Sequence, residues 1–167
     1  ILLFVLLVGQ PDEFTVLRSA TIAAPPAAVF QQVDDFHKWE AWSPWAKLDP
    51  ACKNSYSGAP AGKDAGFAWD GNKKVGAGRM TITESQSPEL VRIHLEFLRP
   101  FKSNNITEFT FRAQANQTLV VWAMTGKQNF MCKVFGLFMD GDKMVGKDFE
   151  KGLASMKAIV ETGKPKF

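Results

Sequence analysis

The chain has 167 residues, of which 46% are hydrophobic and 22% charged, values that fit one folded domain with a substantial core. Its net charge is +3, and the lysines are scattered, with no run longer than Lys73-Lys74. A nucleic-acid groove needs a concentrated basic stripe, so we expect no nucleic-acid partner. The 14 Phe and 5 Trp outnumber a single Tyr, which favours burial or an apolar ligand because Phe carries no polar group.

The first eight residues, Ile1–Val8, are all apolar, and Gly9, Pro11 and two acidic residues follow them. Eight residues are too few for a helix that crosses a bilayer, which takes about 20. We interpret residues 1–10 as the remnant of a membrane anchor. It would hold residues 11–167, a single ligand-binding domain, outside the cytoplasm on the periplasmic side. The alternative is a buried first strand in a cytoplasmic protein.

The body of the chain alternates between apolar and polar residues in short runs, as strands do. Asp70-Gly71-Asn72 and Asn116-Gln117 are hairpin signals between such runs, and meandering strands form an antiparallel sheet. Two short helices follow the first strand, because Pro25-Pro26 suits a helix start. Strands are predicted over 14–22, 53–57, 66–69, 74–84, 90–98, 106–115 and 119–126.

The last third of the chain changes to a helical period. A stripe spaced 4, 4, 3 and 4 predicts a long amphipathic helix over about 142–162. Its members are Val145, Phe149, Leu153, Met156 and Val160. A shorter stripe of Phe130, Val134, Leu137 and Phe138 precedes it. Helices segregated from an antiparallel sheet of about six or seven strands define an α+β domain.

Several local motifs match one family. They are Asp35-Phe36-x-x-Trp39-x-x-Trp42-Ser43-Pro44-Trp45, Val75-Gly76-x-Gly78-x-Met80 and Asp142-Lys143-Met144-Val145-Gly146. With the element order, they resemble the polyketide cyclase/dehydrase-like branch of the START/Bet v 1-like (SRPBCC) superfamily, over nearly all of residues 14–160. The resemblance implies a helix-grip fold, in which a curved sheet wraps the long C-terminal helix around a cavity, but it specifies no reaction.

The cavity would lie between the sheet and the long helix. Its candidate lining residues are Trp69, Met80, Val120, Trp122, Met124, Phe149, Leu153 and Met156. Val120, Trp122 and Met124 could equally belong to a solid core. Trp39, Trp42 and Trp45 form the most conspicuous aromatic cluster. They would form a rim at the cavity mouth, form an interfacial belt that touches a membrane, or pack the short helices onto the sheet.

We find no catalytic constellation and no cofactor motif in the sequence. His37 and His94 are expected on the surface, and neither has an acidic partner at metal-ligand spacing. Tyr56 is explained by a half-buried strand position. Cys52 and Cys132 form no metal motif and are interpreted as free thiols, although a disulfide remains open.

Three functions remain open at this point. The leading hypothesis is binding or transport of a hydrophobic small molecule or lipid, without a catalytic set. The second is an enzyme that acts on a polyketide-like or other hydrophobic substrate. The third is a protein-interaction module, since co-chaperone domains share the helix-grip fold. The oligomeric state is left open.

Deleting residues 1–10 tests the anchor. We expect the shortened protein to stay folded with an unchanged melting temperature in a thermal denaturation experiment, because an anchor contributes nothing to the core. A loss of several degrees, or precipitation, would show that the segment belongs to the fold. If the protein that keeps residues 1–10 is recovered entirely in the soluble cytoplasmic fraction of its host, the membrane anchor is contradicted.

Overall fold

The computed structural model describes residues 13–127 and 140–164. The predictions for Ile1–Val8, for the stripe from Phe130 to Phe138 and for Cys132 lie outside these residues. The elements are β1 (Glu13–Ile22), α1 (Pro26–Asp34), a 3-10 turn (Phe36–Lys38), α2 (Trp39–Trp42), β2 (Lys53–Gly58), β3 (Ala65–Asp70), β4 (Ala77–Gln86), β5 (Leu90–Arg99), β6 (Ser103–Gln114), β7 (Gln117–Lys127) and α3 (Gly141–Thr162).

The strands form one antiparallel sheet in the order β1-β7-β6-β5-β4-β3-β2. This confirms the predicted α+β class and the helix-grip arrangement, with short helices after the first strand and a long helix at the end. From β2 to β7, each strand pairs with the next strand in sequence, and β1 pairs with β7. Within the described residues the sheet therefore has two edges, β1 and β2, and every residue of β2 is exposed.

The connection between β3 and β4 is longer than predicted. β4 begins at Ala77 rather than at residue 74, because Gly71 N–H donates to the carbonyl of Gly76 (2.9 Å) and closes a loop over 71–76. Gly76 has φ of +64°, a conformation that residues with a side chain rarely adopt.

The sheet buries one face against the helices. Ile93, Phe109 and Trp122 on that face are 0–2% exposed, whereas His94, one residue beyond Ile93, lies on the opposite face and is exposed. This is the period-two alternation that the sequence shows. The face toward the helices is called the helix-facing face below.

Two tryptophans complete the C-terminal end of α1. The last carbonyls of a helix have no partner within the helix. Here the indole N–H of Trp39 donates to the Val33 carbonyl and that of Trp42 to the Gln32 carbonyl, both at 2.9 Å. The spacing of the tryptophans after α1 therefore has a structural cause: each indole fills the core and also pairs one carbonyl of the helix end.

The long helix α3 approaches the sheet closely at two glycines. At Gly146, a Cβ would lie 2.0 Å from an Arg18 guanidinium nitrogen, and Arg18 pairs there with Asp142 and Glu150, each at 2.9 Å. At Gly152, a Cβ would lie 3.0 Å from the Trp122 ring and 3.1 Å from Cδ of Pro44. Glycine inside a helix costs up to about 1 kcal/mol relative to alanine, so close packing offsets that cost here.

Gly152→Ala tests this packing. We expect it to lower the free energy of unfolding by about 1–2 kcal/mol, because overpacking costs about 1–3 kcal/mol and the gain in helix propensity returns up to about 1 kcal/mol. Gly141→Ala is the matched control, since a Cβ at Gly141 meets nothing within 4 Å. Denaturant unfolding measures both. A Gly152→Ala protein as stable as the control protein would contradict the close contact with Trp122.

Candidate functional site

Five of the residues predicted to line a cavity are packed into the core. Trp122 and Phe149 stack face to face, with ring centroids 3.9 Å apart and planes 7° apart. Val120, Leu153 and Met156 are 0–1% exposed, so neighbouring protein atoms cover their side chains. In this structure the centre of the sheet–helix interface is filled by side chains at these residues. That these five residues contact a ligand stays a prediction. Such contact would require the core to open, because their side chains are buried.

The three predicted rim tryptophans lie in the same aromatic cluster. Trp42 is fully buried and Trp39 is 7% exposed, while Trp45 is half-buried. Trp39 and Trp42 lie 4.6 Å apart, and Trp45 meets the Trp122 ring edge-to-face at 6.0 Å. These contacts match the packing alternative for the cluster. Of the three, Trp45 has the most exposed surface and is therefore the best placed to contact a ligand.

The remaining aromatic side chains of the helix-facing face form a second, more open group. Phe67 and Trp69 stack at 6.2 Å with planes 19° apart, and Trp69 meets Phe97 edge-to-face at 5.8 Å. Tyr56 adjoins Phe67 at 5.4 Å, and Met80 pairs with Phe67 across the strands. Phe67, Trp69, Met80 and Phe97 are half-buried, and Tyr56 is 42% exposed. We call Tyr56, Phe67, Trp69, Met80 and Phe97 the helix-facing patch.

The loop after β3 and the backbone of β4 position Trp69 in this patch. Its indole N–H donates to the Val75 carbonyl (2.9 Å) in the loop between β3 and β4. Its ring lies on Gly78 of β4, where a Cβ would be 2.5 Å from the ring and also 2.5 Å from the Glu96 carbonyl oxygen. A side chain at position 78 would displace the indole. Glycine at position 78 therefore makes room for a fixed aromatic surface beside Phe97.

Trp69 and Met80 were predicted as site residues, and the structure brings them together. Phe67 and Phe97 were missed. A signal for both exists, because each lies on the apolar side of an alternating strand, but the signal does not separate half-buried positions from core positions. Met124, also predicted, is 8% exposed and pairs with Val16 and Thr107 on the neighbouring strands.

Ionisable groups reach the patch at its β2 edge. His37 stacks on Tyr56, with centroids 4.0 Å apart and planes 16° apart. The Asp35 carboxylate accepts from the His37 backbone N–H and lies 2.9 Å from its ring Nδ1. Partial burial raises the pKa of the Tyr56 phenol, and the negative charges of Glu40 and Asp35 raise it further. The phenol is therefore protonated at neutral pH and can donate a hydrogen bond.

The other residues considered in the sequence have surface or structural positions. His37 and His94 are exposed, as predicted. Asp70 pairs with Arg99, and Cys52 is a half-buried free thiol whose pKa is raised by burial. Over residues 13–127 and 140–164, no three His, Cys, Asp or Glu side chains come together in a way that could hold a metal ion.

The sequence matches one family model over most of its length. The family model described as "Polyketide cyclase / dehydrase and lipid transport" matches residues 13–161. The chain belongs to this family. The family description covers both catalysis and transport, so membership does not decide between the enzyme and the binding protein. A search of curated proteins finds no significant match to this chain.

Solved structures with the same fold share little sequence with this member of the family. The Aha1 dimer from Colwellia psychrerythraea has a TM-score of 0.64 at 16% identity, over 90% of this chain and 98% of that one. Protein CV1439 from Chromobacterium violaceum has a TM-score of 0.63 at 14% identity, over 91% and 99%. CalU16 from Micromonospora echinospora has a TM-score of 0.60 at 15% identity, over 91% and 76%. These similarities show the fold alone.

Within residues 13–127 and 140–164, no helix is both long enough and apolar enough to cross a bilayer.

Trp42→Phe tests the structural role of the tryptophan cluster. The substitution removes the N–H that pairs the Gln32 carbonyl and shrinks a fully buried ring, so we expect a loss of about 1–3 kcal/mol in the free energy of unfolding. Trp45→Phe is the comparison, with a smaller loss because Trp45 is half-buried. Chemical denaturation measures both proteins. Equal losses, or a stable Trp42→Phe protein, would contradict the assignment of Trp42 to the core.

Proposed function

We propose that this protein binds a hydrophobic small molecule or a lipid on the helix-facing patch. The observation that carries the proposal is the contrast between two aromatic groups on one face of one sheet. The group around Trp122 is closed by packing, whereas the group around Trp69 keeps accessible surface. Small-molecule sites are lined mostly by hydrophobic and aromatic side chains with a few polar groups, and the patch shares this composition.

The composition of the patch supports an apolar ligand. Four of its five members are Phe, Trp or Met, and the fifth, Tyr56, has the only hydroxyl of the set. Fixed aromatic rings contact apolar molecules without losing much side-chain freedom, and Met adapts to irregular shapes. The family description, which includes lipid transport, is consistent with such a ligand.

We also propose that residues 1–10 tether the domain at a membrane, outside the cytoplasm. The support is the apolar run of Ile1–Val8 and the acidic residues that follow it. A tether would raise the local concentration of lipid around the patch, which is consistent with a lipid-like ligand.

Ligand binding to the patch can be measured with the fluorescent apolar probe N-phenyl-1-naphthylamine. We expect Phe67→Ala and Trp69→Ala to weaken probe binding about 10-fold or more, because burying a large apolar side chain against a ligand is worth about 1.5–3 kcal/mol. Leu17→Ala is the control, since Leu17 is 52% exposed and lies on the opposite face of the sheet. Circular dichroism checks that each variant is folded.

The same titration can contradict the proposal. If the wild type, the two patch variants and the control bind the probe with equal affinity, the probe does not bind at the helix-facing patch. Native mass spectrometry of protein purified from its own host identifies the natural ligand class, and the co-purifying molecule should be lost from the Trp69→Ala protein.

An enzyme is the second candidate, and one observation favours it. Asp35 and His37 form a carboxylate–imidazole pair within hydrogen-bond reach, stacked on Tyr56 at the margin of the patch. A carboxylate at Nδ1 orients the imidazole so that Nε2 can act as a base. Asp35 also begins the 3-10 turn by accepting from the His37 N–H, so the pair has a structural use as well.

Base catalysis can be tested with a 1,3-diketone, 1-phenyl-1,3-butanedione, in deuterated water. If His37 is a base, the protein accelerates exchange of the acidic C–H, measured by NMR, and His37→Asn abolishes the acceleration. His94→Asn is the control, because His94 is exposed on the opposite face. Equal exchange rates with the two variants would remove His37 from a catalytic role and leave binding alone.

A further inference from the structure

A polar residue interrupts the apolar helix-facing face next to the patch. The strand register pairs Phe67 with Met80, Met80 with Leu95, and Leu95 with Asn105. These four residues form one line across β3, β4, β5 and β6. A carboxamide thus follows three apolar or aromatic side chains along this line.

The Asn105 carboxamide is buried and incompletely paired. The residue is 5% exposed, and among residues 13–127 and 140–164 its Oδ1 has no hydrogen-bond partner. Its Nδ2 donates to the Ser103 hydroxyl at 3.5 Å, the outer limit for a hydrogen bond. Buried polar groups in proteins are nearly always paired, so an unpaired amide oxygen needs an explanation.

The neighbouring strand is shaped to accept this carboxamide. Asn105 pairs with Gly126 of β7, and a Cβ at Gly126 would lie 2.0 Å from Oδ1 and 2.8 Å from the Phe14 ring. Any other residue at 126 would displace the amide. The glycine and the asparagine are therefore sterically matched, because the amide oxygen occupies the space that a side chain at position 126 would fill.

Thr107, the next polar residue on the same face of β6, has hydrogen-bond partners for its hydroxyl as both donor and acceptor. The Thr107 hydroxyl donates to the Ala123 carbonyl at 3.1 Å and accepts from the Trp122 indole at 3.2 Å. Its hydrogen bonds stabilise the closed core. Asn105 lies two residues closer to the start of β6, on the side of Phe97 and Met80, and its acceptor is unused.

We propose that Asn105 Oδ1 accepts a hydrogen bond from a hydroxyl or N–H group of the ligand, whose apolar body lies on the helix-facing patch. This inference rests on the proposed function and narrows it. The ligand class becomes an amphipathic molecule with a donor attached to an apolar body, such as a phenol or a long-chain alcohol. A pure hydrocarbon, or a molecule with acceptors only, would leave Oδ1 unpaired and bind more weakly.

A matched probe series tests the donor. Naphthalene, 2-naphthol, 2-methoxynaphthalene and 2-acetonaphthone share an apolar body, and only 2-naphthol donates a hydrogen bond. In calorimetric titrations, we expect the wild type to bind 2-naphthol about 5- to 10-fold more tightly than 2-methoxynaphthalene. In Asn105→Leu this preference should disappear while naphthalene still binds. Asn104→Leu is the control, because Asn104 is exposed on the opposite face of β6, and it should keep the preference.

Stability gives a second, independent reading. Replacing an unpaired buried amide by an apolar group should raise the melting temperature, so Asn105→Leu should melt higher than the wild type, and Asn104→Leu should not. If leucine prevents folding, Asn105→Ala replaces it, because alanine removes the carboxamide without adding volume; the loss of the preference is then the deciding readout.

The outcomes separate this inference from the proposed function. Binding of all four probes with no preference, a preference for 2-acetonaphthone, or a preference that survives Asn105→Leu would overturn the role of Asn105 and leave the patch as a site. Absence of binding by any probe to the wild type would overturn both.

Discussion

The stack between Trp122 and Phe149 is the contact on which the arrangement of the domain depends. It joins the penultimate element of the described chain, β7, to α3, with the two rings parallel at 3.9 Å. The Trp122 indole is fixed from the other side by Thr107, and Gly152 lets α3 approach the same ring. A smaller residue at either ring position would leave a cavity at the centre of the interface, and a larger one at 152 would push the helix away.

Because the centre is filled, the accessible apolar surface lies to one side of it. α3 packs mainly on β1 and against α2, and α1 packs on β5, β6 and β7. The aromatic side chains of β3, with Phe97 of β5, remain half-buried. The division of the helix-facing face into a closed and an open group follows from where two helices of limited width cross a sheet of seven strands. This division would make the proposed binding site compatible with a stable core.

The sequence predicted the elements well because their signals are local. Alternation predicted all seven strands, and the stripe from Val145 to Val160 predicted α3. The length of the loop after Asp70 was missed, since it depends on the Gly71–Gly76 hydrogen bond and not on the hairpin signal alone.

The division of the aromatic residues could not be predicted from one sequence. Trp69 and Trp122 both lie on the apolar side of an alternating strand, and the pattern around them is the same. The packing of α2 and α3 on Trp122 buries that residue, whereas Trp69 stays partly open. The unpaired acceptor of Asn105 was likewise invisible, because its line with Leu95 and Gly126 exists only once strands distant in sequence are in register.

Because β2 is an edge strand, the part of the patch on β2 is locally less stable than the part on the interior strands. This strand is short, forms an edge of the sheet and is exposed along its whole length. Backbone hydrogen bonds of such strands open more often than those of central strands, and amide hydrogens there exchange faster. Tyr56 and its contact with His37 therefore belong to the part of the sheet that frays first, while Met80 and Phe97 belong to interior strands. A ligand that spans both would hold the edge strand in place, so its binding would appear as slowed hydrogen exchange in β2, at a distance from the rigid core.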